Sequence, residues 1–255
     1  MVPPDLQVLV RGWLHGNVVR AGTAVVDSGY HTGADALVAW VGRCDVLALT
    51  HAHSDHAGGA AALVDAFGCR VLAHADVHGL VERWDRTELW LEGTGQELPA
   101  FPVHAVLDEV VELGGDRWRV LDTPGHAVGG VSFFRERDGV LITGDALWED
   151  GFGLLNPWFD PPGVFERTAQ ALETLGGVDA SVVIPGHGAP FAGLSAALDR
   201  ARSRLDHLIA SPDRHRAQVV RNLLGFWSLA DPERSDAERD ARRAAAEAVL
   251  PGVYR

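Results

Sequence analysis

The segment Thr50-His51-Ala52-His53-Ser54-Asp55-His56 decides the fold prediction for this chain. It ends an apolar run, residues 45–50, that has the length of a buried strand. Three imidazoles and a carboxylate within six residues would be costly to bury as ordinary core. Divalent ions of the zinc class bind imidazole nitrogen and carboxylate oxygen at about 2.0–2.2 Å. The segment therefore predicts metal ligands at the end of a strand rather than core residues or a solvated loop.

Three later segments repeat the pattern of a strand, a glycine and a candidate ligand. They are Thr123-Pro124-Gly125-His126, Thr143-Gly144-Asp145 and Pro185-Gly186-His187. A glycine before the ligand permits a tight turn and leaves room beside a metal ion. The four segments together supply seven candidate ligands, which is more than one tetrahedral ion needs: His51, His53, Asp55, His56, His126, Asp145 and His187.

The remaining pattern predicts an α/β sandwich followed by a small helical module. Strands are predicted at residues 7–14, 23–26, 45–50, 70–73 and 181–184, with a turn at Gly16-Asn17. Two hairpins are predicted, one pairing 110–113 with 118–121 and one pairing 131–134 with 140–143. Helices are predicted at 60–67, 165–175 and 195–209, with further helices toward the end of the chain. We expect a catalytic domain over residues 1–195 and a C-terminal helical extension over 196–255.

These motifs resemble the metallo-β-lactamase superfamily, and within it the glyoxalase II-like branch. The resemblance covers roughly residues 7–195, from the early strands and Asp27-Ser28-Gly29 to Pro185-Gly186-His187. It implies an αββα sandwich that holds two divalent ions at the edge between its sheets, zinc first, with iron or manganese as alternatives. By motif position, the resemblance implies His51, His53 and His126 at the first ion and Asp55, His56 and His187 at the second. Asp145 would bridge the two ions, and Asp27 would support a ligand without binding metal.

The chemistry implied by the resemblance is hydrolysis of an ester-like carbonyl, in a thioester, ester or lactone, by metal-bound hydroxide. Asp55 is the predicted catalytic residue, because it would bind the second ion and also orient or accept a proton. An iron-dependent persulfide dioxygenase uses a similar ligand set and is the alternative that metal identity and oxygen consumption would separate. A nuclease, a β-lactamase and a binding module without enzyme activity are further alternatives.

Composition limits the kinds of partner and substrate that we expect for this protein. The chain has 255 residues, 47% hydrophobic, with a net charge of −13, and all 22 of its basic residues are arginine. An acidic protein repels phosphate backbones, so no nucleic-acid partner is expected. The absence of lysine and of a basic C-terminal cluster counts against glutathione thioesters as substrates. No apolar run is long enough for a membrane span, and no secretion signal is recognised, which also counts against a β-lactamase. Two cysteines, Cys44 and Cys69, fit a reducing compartment, so a cytoplasmic location is expected.

Aromatic residues concentrate in two irregular stretches, 81–102 and 147–163. They either cap an edge of the core or form an apolar wall that faces a small-molecule substrate. The candidate pocket residues are Trp84, Trp90, Trp148, Phe152, Trp158 and Phe159. The C-terminal helices are candidates for packing, for shaping this pocket or for forming a homodimer.

Overall fold

The computed structural model describes residues 1–11, 15–86, 89, 91, 98–155 and 161–212. Its eleven described strands form two sheets. The first sheet has the order β1 (Leu6–Arg11), β2 (Gly16–Ala21), β3 (Ala24–Val26), β4 (Val46–Ala48), β5 (Arg70–Ala73) and β6 (Ala105–Val106). The second has the order β11 (Val182–Pro185), β10 (Val140–Gly144), β9 (Val131–Arg135), β8 (Asp116–Asp122) and β7 (Val110–Leu113).

The helices cover the outer faces of both sheets. They are α1 (Ala34–Val41), α2 (Ser54–Ala57), α3 (Ala60–Phe67), α4 (Ala75–Arg83), α5 (Pro161–Gly176) and α6 (Leu194–Ala210). One hydrophobic cluster, with Leu37 and Leu63, lies between the first sheet and its helices. A second, with Trp118, lies between the two sheets, and a third, with Leu172 and Leu205, lies under α5 and α6. Three cores between four layers make this an αββα sandwich, which confirms the predicted fold class.

Strand direction brings the candidate ligands to one edge. In the first sheet β3 and β4 are parallel, so the residues that follow them leave the sheet at the same edge. In the second sheet β8, β10 and β11 run in one direction, because β8 and β10 are each antiparallel to β9 and β10 is parallel to β11. The two edges are joined where Val131 donates its N–H to the carbonyl of Thr50 at 2.9 Å. The ends of these five strands therefore meet where the sheets face each other.

Most predicted elements are confirmed. The helix at 60–67 and the strand at 70–73 have the predicted bounds, and both hairpins form with ends shifted by up to two residues. The turn predicted at Gly16-Asn17 is wrong, because both residues begin β2. β2 pairs with β1 and β3, and Asn17 also donates its backbone N–H to the carbonyl of Gly186 at 2.7 Å. Residues far apart in sequence therefore override the local turn signal.

The predicted domain boundary at residue 195 falls inside α6, which begins at Leu194. Leu194, Leu198 and Leu205 of this helix pack with α5 in the core beneath the second sheet. Residues 194–210 thus belong to the outer layer of the sandwich, and the predicted extension beyond residue 212 lies outside the described residues. Among the helices that the structure describes, none is long and apolar enough to cross a bilayer.

A buried arginine ties the start of the chain to the second sheet. Arg135, at the end of β9, forms ion pairs with Asp5, Asp116 and Asp138 at 2.7–3.0 Å, and its guanidinium lies 5.0 Å from the centre of the Trp118 ring. Arg137 contacts the same three carboxylates. The Arg135 side chain is 1% exposed and that of Arg137 is 51% exposed, so the two differ chiefly in burial.

We therefore expect Arg135→Met to lower the free energy of unfolding by about 2 kcal/mol, since it leaves three carboxylates without their buried partner. The matched Arg137→Met should cost less than about 1 kcal/mol, because exposed ion pairs contribute little. Urea unfolding of both variants measures the difference. Equal losses would show that burial of Arg135 does not determine its contribution.

Candidate metal centre

The segment that follows β4 carries four of the candidate ligands and brings them close together. Residues 51–53 are not helical, and His53 has extended dihedral angles (φ −63°, ψ 151°) at the N-terminus of the short helix α2. His51 and His53 are therefore alternate residues that project to the same side. The turn of α2 then brings Asp55 and His56 round to join them. A single short segment thus delivers ligands to two neighbouring groups.

The glycines before the ligands are required by close approach. A Cβ atom at Gly186 would lie 2.2 Å from Oδ1 of Asp145 and 2.8 Å from Cε1 of His56. Gly125 has a φ of 129°, and a Cβ atom there would lie 2.5 Å from the hydroxyl of Thr168. Any larger residue at either position would displace the ligands or the backbone beside them.

Seven side chains converge, as the motifs predicted. The ligand atoms of His51, His53 and His126 lie within 4.8 Å of one another, and so do those of Asp55, His56 and His187. The rings of His51 and His56 are 4.0 Å apart between centroids, so the two groups adjoin. All seven side chains are buried except those of Asp55 and His187, which are 16% and 11% exposed.

Asp145 lies between the two groups. Its Oδ2 atom is 3.3 Å from Nε2 of His126, in the first group. Its Oδ1 atom is 3.5 Å from Nε2 of both His56 and His187, in the second. One carboxylate therefore presents one oxygen to each group, which is the arrangement expected of a bridging ligand.

Asp27 sets the orientation of His51 through Thr50. Thr50 donates its backbone N–H to Asp27 at 2.8 Å and its hydroxyl proton to the same carboxylate at 2.7 Å. Because that hydroxyl has only one proton, its 3.0 Å contact with Nδ1 of His51 requires the imidazole to be the donor. Nε2 of His51 then carries the lone pair. This nitrogen is buried and has no hydrogen-bond partner among the described residues.

Two further imidazoles are oriented in the same way. Nδ1 of His56 lies 2.8 Å from Asp27, and Nδ1 of His126 lies 2.7 Å from the backbone carbonyl of Leu154. Both contacts require a proton on Nδ1, which leaves Nε2 as the metal-binding atom when the ring is neutral. The prediction that Asp27 supports a ligand therefore has a specific geometry, with one carboxylate directing two imidazoles.

Charge is distributed unequally between the two groups. Burial lowers the pKa of His51 and His53 well below the usual value, and the neighbouring imidazoles lower it further. Burial acts in the same direction on His56 and His187, but the carboxylates around them outweigh it. The pKa of His56 is raised well above its usual value and that of His187 to about 10. The second group therefore attracts positive charge strongly.

The donor set fits a pair of divalent ions. The seven residues are histidines and aspartates, with no cysteine or lysine among them. Their imidazole nitrogens and carboxylate oxygens are ligands for zinc, iron and manganese. The buried, unpartnered Nε2 of His51 is costly unless it binds something, and a cation satisfies it. A cavity of about 10 Å³ lies beside His51, His126 and Asp145, close to the smallest space that holds one water molecule.

Three of the six predicted pocket aromatics lie in the described part of the chain, and they take different positions. Trp148 is in contact with it, through Asp145 and His187. Phe152 is buried in the core under α6, and Trp84 packs edge-on against Phe101 at the margin of the first core. Phe152 and Trp84 therefore take the placement of core residues, whereas Trp148 faces the centre. Trp90, Trp158 and Phe159 lie outside the described residues.

Sequence reasoning missed three supporting residues. The apolar run at residues 45–50 marks Thr50 only as the end of a strand, and Leu154 acts through its backbone, which no residue pattern identifies. Asn17 donates its side-chain amide to the carbonyls of Pro185 and Gly188, on either side of the turn that carries His187. The pair Gly16-Asn17 predicts a turn, and only the fold reveals the partners of Asn17.

Comparison with known families gives a match over most of the chain. The model described as the metallo-beta-lactamase superfamily matches residues 12–187, which is more than half of the chain and includes all seven candidate ligands.

Individual relatives and solved structures agree with it. A hydroxyacylglutathione hydrolase of Acidiphilium cryptum is 31% identical over 141 residues, covering 55% of this chain and 50% of the relative. One of Anaeromyxobacter dehalogenans is 34% identical over 196 residues, covering 74% of this chain and 68% of the relative. The crystal structure of TTHA1623 in a di-iron-bound form is 27% identical, with a TM-score of 0.60, and covers 76% of this chain and 98% of that one. The chain spans about half the length of several of the hydrolases that it matches.

The hydrogen bonds of Asp27 to Thr50 and His56 should affect how tightly the metal is held. We expect Asp27→Asn to weaken retention of the ion in the His56 group by about 10–100-fold, because the amide cannot accept from both Thr50 and His56 as the carboxylate does. Asp45→Asn, at a half-exposed acid that precedes β4 and pairs with Arg43, is the matched control and should leave retention unchanged. The measurement is metal content after dialysis against a graded series of chelator concentrations. Equal retention by the Asp27 variant and the native protein would contradict the orienting role.

Proposed function

The chain belongs to the metallo-beta-lactamase superfamily, and on that basis we propose that it is a binuclear metal-dependent hydrolase of an ester-like carbonyl. The observation that carries the proposal is the convergence of His51, His53 and His126 with Asp55, His56 and His187 on either side of Asp145. A protein that only bound a partner would have no need of two adjoining ligand groups sharing one carboxylate. The catalytic domain is proposed to include residues 1–195 together with the rest of α6.

The names of the relatives support a thioester as the first substrate class to test. The hydrolases of Acidiphilium cryptum and Anaeromyxobacter dehalogenans are named for hydroxyacylglutathione, a thioester. The chain has no lysine and lacks a recognisable basic cluster for glutathione. We therefore propose a thioester with an acyl carrier other than glutathione, or an ester or lactone, and no nucleic-acid partner.

Divalent ions, when bound in such a pair, lower the pKa of coordinated water to about 7 and polarise a carbonyl oxygen. The protein's own contribution is to hold the ligand atoms in place before substrate arrives. Nε2 of His51 and Nε2 of His126 would bind the first ion together with His53. Asp55, His56 and His187 would bind the second. Asp145 would bind both, since its two oxygens already face the two groups.

Asp55 is the proposed catalytic residue. Burial raises the pKa of its carboxyl group, but the imidazoles of His56 and His187 outweigh burial and hold that pKa well below the usual value. Asp55 is therefore a carboxylate over the whole working range of pH. It can accept a hydrogen bond from the attacking water and fix the direction of attack. Because its pKa is strongly lowered, Asp55 is a weak base. Its larger contribution is therefore to orient the attacking water.

Zinc is the proposed metal because nothing in the hydrolytic reaction requires a change of oxidation state. Iron is the alternative, since the TTHA1623 structure is described as di-iron-bound. The ligand set suits either ion. Metal analysis of the purified protein decides between them, and oxygen consumption with a persulfide would identify the dioxygenase alternative.

The first experiment measures metal content and hydrolysis on one preparation. We expect about two equivalents of transition metal per chain and turnover of at least one thioester, ester or lactone in a panel that also contains phosphodiesters and β-lactams. Removal of metal by a chelator should abolish turnover, and added zinc should restore it. A single tightly bound iron with no second equivalent under excess zinc would favour the dioxygenase instead.

The second experiment replaces Asp55 with Asn. The amide keeps the size of the side chain but lacks the charge, so we expect turnover to fall by about 10²–10⁴-fold while His51, His53 and His126 keep the first ion. Asp65→Asn, at an exposed acid on α3, is the matched control and should retain native turnover. Native turnover and native metal content in the Asp55 variant would contradict the proposed role of Asp55.

A further inference from the structure

Trp148 contacts two of the seven candidate ligands. Its indole Nε1–H donates to Oδ1 of Asp145 at 3.1 Å, and its ring meets the ring of His187 edge-on, with centroids 5.4 Å apart. The half-buried side chain lies just beyond β10, three residues after Asp145. Neither contact is explained by packing of the core, because Trp148 is not a member of any of the three hydrophobic clusters.

The indole differs chemically from the other groups around the Asp145 carboxylate. The imidazoles of His56, His126 and His187 lie 3.3–3.5 Å from its oxygens. An imidazole nitrogen that binds a metal ion uses its lone pair and has no proton to donate. The indole nitrogen has a proton and no available lone pair, so it remains a donor whether or not metal is bound.

The donor acts on the oxygen that faces the second group. Oδ1 of Asp145 accepts the hydrogen bond from the indole N–H and lies beside His56 and His187, whereas Oδ2 lies beside His126. The torsion that rotates a carboxylate is soft, and a hydrogen bond to one of the two oxygens restricts it. Rotation would exchange the oxygens or turn both of them away from one group. A hydrogen-bond donor at Oδ1 favours the orientation in which the carboxylate is shared.

The indole is held by a loop that is fastened to α6. In this loop, residues 147–155 (the Trp148 loop), Trp148 and Gly151 form a tight turn through their backbone groups. Arg200 donates twice to the carbonyl of Glu149, at 2.8 and 2.6 Å. Arg204 donates to the carbonyl of Phe152 and lies 4.6 Å from the centre of its ring. These contacts give the indole a fixed position from which to act.

We propose that Trp148 is a positioning residue that orients the Asp145 carboxylate between the two metal-binding groups by donating its indole N–H to Oδ1. This inference rests on the proposed binuclear site. Loss of the N–H should weaken retention of the shared ions, because residues that support a ligand in this way commonly account for 10–100-fold in metal affinity. The ring contact with His187 is a separate contribution that the variants can distinguish.

The test compares cobalt(II)-loaded full-length proteins during titration with a chelator, followed by visible absorption and by metal content per chain. We expect Trp148→Phe, which keeps an aromatic ring and removes the N–H, to lose one of two ions at a chelator concentration about 10–100-fold lower than the native protein. The visible spectrum of the remaining ion should also change, because the carboxylate is free to rotate. Trp148→Leu should behave like Trp148→Phe if the N–H is the important group.

Trp118→Phe is the matched control. Trp118 is fully buried between the sheets and donates its own indole N–H to the carbonyl of Leu113 at 3.3 Å, not to a candidate ligand. This variant should lose stability and retain both ions as the native protein does. If Trp148→Phe does not fold, benzothienylalanine at position 148 replaces the N–H with sulfur in a ring of nearly the same size, and the same loss is expected.

The outcomes separate the inference from the proposed function. Two ions in the native protein with unchanged retention in Trp148→Phe would overturn the inference and leave the binuclear site in place. Native-like retention in Trp148→Phe with loss in Trp148→Leu would overturn it in favour of the ring contact. Equal losses in Trp148→Phe and Trp118→Phe would reduce the effect to general destabilisation. Fewer than two ions in the native protein would contradict the proposed function itself.

Discussion

Asp27 accepts three hydrogen bonds in the interior of the protein, two from Thr50 and one from the imidazole of His56. It does so at the end of β3, with a φ of 57° that non-glycine residues seldom adopt. The hydrogen bonds of the carboxylate offset that strain. They connect the end of β3 to Thr50, which follows β4, and to His56 in α2. Without it, neither His51 nor His56 would have a defined tautomer, and the two ligand groups would lose their common orientation.

The metal centre places two carboxylates and several imidazoles close together in the interior of the protein. Asp145 lies close enough to Asp55 to raise the pKa of that carboxyl group, yet both carboxylates remain ionised because the surrounding imidazoles outweigh this repulsion and the cost of burial. The price is that His56 and His187 hold protons tightly. Divalent ions would replace those protons, which couples metal uptake to proton release. Two sheets can support such a charge cluster only because both contribute ligands from adjoining strand ends.

The outer layer of the sandwich also takes part in the site. Arg200 and Arg204 of α6 hold the Trp148 loop, and this loop contacts both ligand groups. At one end of the loop Trp148 reaches Asp145, and at the other the carbonyl of Leu154 orients His126. Helix α6 starts beyond the residues that match the family, so its arginines show how a helix outside the shared motif region can still fix the geometry of shared ligands.

The sequence by itself determined the ligand types and most of the strands that carry them, because each signal is local: an apolar run, a glycine and then His or Asp. It predicted the sandwich for the same reason. It did not reveal β2, whose Asn17 side chain donates to the carbonyl of Pro185 across 168 residues. The tautomers and the indole donor were likewise decided only by the tertiary structure. Each depends on a hydrogen bond between residues that come into contact only when the sheets pack. No pattern within one segment of sequence predicts such a contact.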